Sequence, residues 1–165
     1  MQNGPAPIWK SLSGIPIPDL DGELLALVRS GRRCVHVGTD AKHRGAHTDF
    51  VTVIAVLDPG CGGRVFYRRE RVRRSRSLAE QLFREVELSV QVATAVDGLL
   101  RDEPCAPITV HVDANENLRH RSSAYVQALA GTVRGYGFEV RVKPHSWCAT
   151  HVADFVVKDK HQRAA

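Results

Sequence analysis

Val35 and Val37 alternate with His36, Gly38 and Asp40, a period of two that predicts a strand with one apolar face. Phe50 to Leu57 is a nearly continuous apolar run, the pattern of a strand covered on both sides. The turn-forming residues Asp58 to Gly63 come next, and Arg64 to Val72 predicts a further strand, so three strands with short connections form an antiparallel meander. Lys42 to Asp49, between the first two, is expected as a polar turn. Gly45 there argues against the helix that would bring His43 and His47 to one metal ion.

After Ser77 the period lengthens to that of a helix, expected from Leu78 to about Leu100, with Glu80 placed to complete a capping box. Ala79, Leu82, Val86, Val90, Ala93 and Leu100 fall on one stripe that should lie against the sheet. Glu85 shares its flank of that stripe with Leu78, Ser89 and Val96. Glu87 shares the other flank with Glu80, Gln91 and Thr94. The first flank is the less polar, which puts Glu85 at the core margin, where a carboxylate needs a partner. Period two returns at Ile108, Val110 and Val112, with Thr109, His111 and Asp113 on the opposite face, and the polar loop Ala114 to Asn117 follows. Ser122 or Ser123 is expected to cap a helix to about Tyr136, ended by Gly135 and Gly137. Phe138, Val140 and Val142 make a last strand, stopped by Pro144. The closing segment from His145 enters a helix carrying Val152, Phe155 and Val156, with Asp154 in an early turn and His151 three residues before it.

Pro5, Pro7, Pro16 and Pro18 exclude a long helix at the start of the chain. Asp19 or Asp21 then caps a short helix from Glu23 to Arg29, which Gly31 ends. The expected order is therefore β-β-β-α-β-α-β-α after a short N-terminal helical extension. That order implies an α/β fold: a mixed five-stranded sheet, its first three strands antiparallel, flanked by helices. At 165 residues, 43% hydrophobic and 25% charged, the chain fits a single domain, with residues 1–31 as lead-in and short helix and 32–165 as core.

Composition narrows the class. No apolar run approaches the roughly 20 residues needed to cross a bilayer, and the N-terminus lacks a cleavable signal, so a cytoplasmic protein without membrane contact is expected. Cys34, Cys61, Cys105 and Cys148 form no CxxC pair and point to neither a zinc knuckle nor a disulfide framework. The net charge of +5 favours a phosphate-rich partner. Much of it lies in Arg64, Arg68, Arg69, Arg71, Arg73, Arg74 and Arg76, and two readings fit this run. Guanidinium forks suit phosphate, and charge also protects an edge strand from pairing with another chain.

Asp40 itself admits two readings, a strand-ending aspartate or the anchor of a metal site. An aspartate near a helix N-terminus, such as Asp154, is favoured by the dipole alone.

Taken together, Val37-Gly-Thr-Asp40, Leu82-x-x-Glu85-x-x-x-Ser89, His111-Val-Asp-Ala-Asn115, Gly131-x-Val-Arg-Gly-Tyr-Gly-Phe138 and Lys143-Pro-x-x-Trp-x-x-x-His-Val-Ala-Asp154 resemble the YkuK-type, ribonuclease H-like family of small bacterial proteins. The resemblance runs from about Trp9 through nearly the whole chain. It implies a ribonuclease H-like fold and a carboxylate cluster of Asp40, Glu85, Asp113 and Asp154 holding two Mg²⁺ or Mn²⁺ ions. Such a cluster hydrolyses the phosphodiester bonds of RNA, RNA-DNA hybrid or structured DNA. It further implies that His145 or His151 shuttles a proton, or else orients its neighbours by hydrogen bonding. Arg68, Arg69, Arg71, Arg73, Arg74, Arg76 and Asn115 are the candidates for holding the nucleic acid. The same fold also serves non-catalytic binding modules, which is the alternative function.

Overall fold

The structure, a computed structural model, describes residues 7–31, 33–148 and 150–152. A short edge strand β1 (Lys10–Ser11) and helix α1 (Leu20–Arg29) precede the meander β2 (Cys34–Arg44), β3 (His47–Asp58) and β4 (Gly62–Arg73). Helix α2 (Leu78–Leu100), strand β5 (Thr109–Asn115), a 3-10 turn (Arg121–Tyr125), helix α3 (Val126–Gly135) and strand β6 (Glu139–Lys143) follow. The sheet order is β1-β4-β3-β2-β5-β6, antiparallel through β1 to β4 and parallel where β2 meets β5 and β5 meets β6. The mixed α/β architecture is the expected one.

The alternation read from the sequence places the core. Val35, Val37, Ile54, Phe66, Val110 and Val112 face Leu82, Val86, Val90 and Ala93 of α2, together with Leu24 and Val28 of α1 and Leu129 and Val133 of α3. The other face carries Val51, Val53, Ala55 and Tyr67 under Trp147, Cys148 and Val152. Cys148 and residues 150–152 are helical, and the rest of the expected terminal helix, Asp154 included, lies outside the described residues. Among those residues no helix is long and apolar enough to cross a membrane.

Four expectations change in detail. The sheet has six strands rather than five, because Lys10 and Ser11 pair with Tyr67 and Phe66. The polar stretch from Lys42 to Asp49 is a continuous hairpin: the ladder runs to Arg44↔His47, and Gly45 takes a φ of 58° at the first turn position. Its two buried polar side chains are satisfied across strands, Thr48 by His43 at 2.9 Å and Asp49 by Arg71 at 2.6 and 3.0 Å. Helix α1 begins at Leu20, capped by Asp19 accepting the Gly22 N–H at 2.9 Å. The helix expected from Ser122 or Ser123 starts as a 3-10 turn, because the Ser122 hydroxyl is used to accept the Asn115 N–H at 3.1 Å.

Candidate active site at the carboxyl ends of β2 and β5

The parallel ladder between β2 and β5 pairs His36 with Thr109, Val37 with Val110 and Gly38 with His111. Asp40 and Asp113 each lie two residues beyond the last of these pairs, on adjacent parallel strands. By alternation both follow the sheet face of His36 and His111. Asp40 is 8% exposed. Asp113 is partly buried and forms an ion pair with the Lys143 ammonium of β6.

Glu85 reaches the same strand ends from α2. The Ser89 hydroxyl, one turn on, donates to Thr39 Oγ1 at 2.9 Å, and Thr39 donates to Thr52 at 3.1 Å, which ties the helix to β2 one residue before Asp40. Glu85 is 4% exposed, whereas Glu87 is exposed and pairs with Arg84 at 2.7 Å. Glu85 accepts the Gln81 side-chain amide at 2.9 Å and the Ala41 backbone N–H. Burial raises the Glu85 carboxyl well above the usual carboxylate range, and the charges of Asp40 and Asp113 push the same way, against the two hydrogen bonds. Glu85 on α2 therefore feels the acidic side chains carried by β2 and β5.

The histidines beneath this site form one unit. The Trp147 backbone N–H donates to His111 Nδ1 at 3.2 Å, which leaves the imidazole proton on Nε2, and Nε2 donates to His36 Nδ1 at 3.1 Å. Burial brings His111 down to about 3, with His36 and Arg141 adding, and also lowers His36, so both rings are neutral. The rings of His36, His111 and Trp147 lie 5.1 to 5.3 Å apart, centroid to centroid. They anchor the start of the closing helical segment on β2 and β5. His145 is exposed, and His151 is exposed with its Nδ1 against the Trp147 carbonyl at 3.0 Å.

Asp40, Glu85 and Asp113 offer hard oxygen donors, which suit Mg²⁺ or Mn²⁺ in kind. In this arrangement Lys143 and Gln81 use some of their lone pairs. Among the described residues no group of three or more His, Cys, Asp or Glu side chains is closed around an ion position. An ion held here would take over from the Lys143 and Gln81 donors.

The arginine run divides between the two faces of β4. Arg64 pairs with Glu23 at 3.2 Å. Arg68 lies over Trp9, 5.2 Å from the ring centroid, and pairs with Glu70 at 3.3 Å. Arg71 grips Asp49, which Arg44 also meets at 3.2 Å. Arg69 is half-buried, its Nε and Nη2 without a hydrogen-bond partner among the described residues. Arg73, Arg74 and Arg76 are exposed. Asn115 uses its side-chain oxygen on the Asn117 N–H at 3.0 Å. β4 is one strand in from the edge, with β1 covering only Phe66 and Tyr67. The sequence reading missed Gln81 and Lys143. The i, i+4 spacing of Gln81 and Glu85 was a signal for the first, whereas the second depends on β6 lying beside β5.

The sequence model of the family described as Ribonuclease H-like matches residues 26–158, most of the chain. The chain belongs to the ribonuclease H-like family. This is the YkuK-type family that the motifs resemble, and the scaffold is a nucleic-acid-related, ribonuclease H-like one. Searches of curated proteins and of solved structures gave no match. The ribonuclease H-like match begins within α1 and spans every element carrying Asp40, Glu85 and Asp113.

Proposed function

We propose that this chain is a metal-dependent nuclease that hydrolyses phosphodiester bonds in RNA, RNA-DNA hybrid or structured DNA. One observation supports the reading: Glu85, buried on α2, accepts the backbone N–H of Ala41, next to Asp40 on β2, the strand that runs parallel beside the Asp113 strand β5. Like charges gathered this way are costly unless a cation joins them. Asp40, Glu85, Asp113 and Asp154 would hold Mg²⁺ or Mn²⁺. Ions bound there supply the charge that activates a water and stabilises the departing oxygen. The protein's own part is positional: the Ala41 N–H orients the Glu85 carboxylate, while Gln81 and Lys143 hold Glu85 and Asp113 until an ion takes their place. His145 and His151, both exposed, are the two candidates for exchanging a proton with solvent.

The test is a cleavage screen over single-stranded, duplex, hybrid and branched substrates with Mg²⁺ and Mn²⁺. Asp40→Asn is expected to bring cleavage down to the no-enzyme level while nucleic-acid affinity stays near wild type. Full cleavage by purified Asp40→Asn would remove Asp40 from the site. A second reading, a non-catalytic nucleic-acid-binding module, draws on the Lys143 ammonium, which already neutralises Asp113. It predicts salt-sensitive binding and no turnover with either metal.

A further inference from the structure

Beside Gln81, whose amide donates to Glu85, lies a cavity of about 360 Å³ with no carboxylate residue in its lining among the described residues. Arg74 and Arg76 enter it from the connection between β4 and α2, Arg121 from the 3-10 turn after β5, and His43 from the hairpin between β2 and β3. Gln81 links the cavity to the acidic site, since the residue lines the cavity and its amide donates to Glu85 at 2.9 Å.

We infer that this cleft binds a backbone phosphate of the nucleic acid, next to the linkage presented to Asp40, Glu85 and Asp113. The inference rests on the nucleic-acid reading above and adds where the strand is gripped. Arg64, Arg68 and Arg71 are committed to Glu23, Glu70 and Asp49, but among the described residues Arg74, Arg76 and Arg121 form no ion pair. Three permanently charged forks gathered from two segments repel one another, and a backbone phosphate offers them two charged oxygens to share. The helix end contributes little itself. The Ser77 hydroxyl already accepts the Glu80 N–H at 3.1 Å, and the Arg76 N–H is spent on Glu80 Oε2 at 2.6 Å. The guanidinium groups are therefore the binding groups. Arg121 is held in place by the chain that carries Asp113: the Asn115 N–H donates to Ser122. A phosphate seated here thus has a fixed relation to the acidic side chains.

The experiment uses the full chain, labelled RNA, DNA and hybrid oligonucleotides and metal-free buffer, with affinity measured over a series of KCl concentrations. Arg121→Ala and Arg76→Ala are each expected to lower the slope of log affinity against log salt by about one. Arg101→Ala, at the far end of α2, should leave the slope unchanged. Single uncharged methylphosphonate linkages are then scanned along the oligonucleotide. One position should weaken wild-type binding yet have no effect on Arg121→Ala, because the contact it removes is already gone. Thermal melts confirm folding, and Arg121→Gln serves if the alanine variant unfolds. If wild type binds none of the oligonucleotides in a salt-dependent way, the nucleic-acid reading itself fails. If it binds, but both cleft variants keep the wild-type slope and its methylphosphonate position, the cleft is overturned and the nucleic-acid reading stands.

Discussion

Glu85 and Asp49 are both buried carboxylates, and their neighbours move them in opposite directions. Glu85 meets neutral donors and two like charges, and burial raises its carboxyl. Asp49 meets the Arg71 guanidinium first, with Arg69 and Arg44 nearby, and is held below its ordinary value. The sign of the Asp49 effect on stability follows by linkage. A carboxylate more acidic in the folded chain than in the unfolded one adds stability above an unfolded pKa of about 4, and that contribution is lost as the pH falls through the folded value. Urea titrations at pH 7 and pH 3 should show a smaller acid-induced loss in Asp49→Asn than in wild type. An equal loss in the two proteins would mean that other groups govern the acid limb. The sequence marks Asp49 only as polar, because its arginine partner lies 22 positions away on another strand.

The helix α2 is the element most fully written in the sequence. Ser77 caps it by accepting the Glu80 N–H, and Glu80 reaches back as a capping box requires but takes the Arg76 N–H, one residue before the cap, in place of the Ser77 N–H. The buried face is wider than the predicted stripe, since Leu88, Val92 and Val96 are buried as well, and α2 packs against α1 and α3 besides the sheet. Ser77→Ala should cost about 1 kcal/mol of stability in chemical denaturation, by the usual loss at an N-cap. It should also loosen the connection carrying Arg74 and Arg76. The turn after β5 was less legible. Ser122 has the chemistry of a helix cap, and only the fold shows that its hydroxyl serves the strand instead.

At the scale of the whole molecule, one sheet is covered on both faces, and the helix-side layer is the larger. Phe66, fully buried, joins β4 to that layer, and Phe66→Ala should lower stability by about 3 to 5 kcal/mol in urea unfolding. A loss under 1 kcal/mol would mean that the β4 end of the core collapses around the gap. Strand alternation, the α2 period and the separation of Glu85 from Glu87 were determined by the sequence, because backbone geometry fixes them within a few residues. Which strands are neighbours is not local information. The fold alone decided that β2 and β5, which carry Asp40 and Asp113, are parallel neighbours, that Lys143 meets Asp113, and that His36 and His111 are hydrogen-bonded in line with Trp147. It also divided the arginines, pairing Arg64, Arg68 and Arg71 and leaving Arg74 and Arg76 beside Arg121. An arginine's task is set by the charge that folding brings within reach of its guanidinium, and no run of sequence contains that charge.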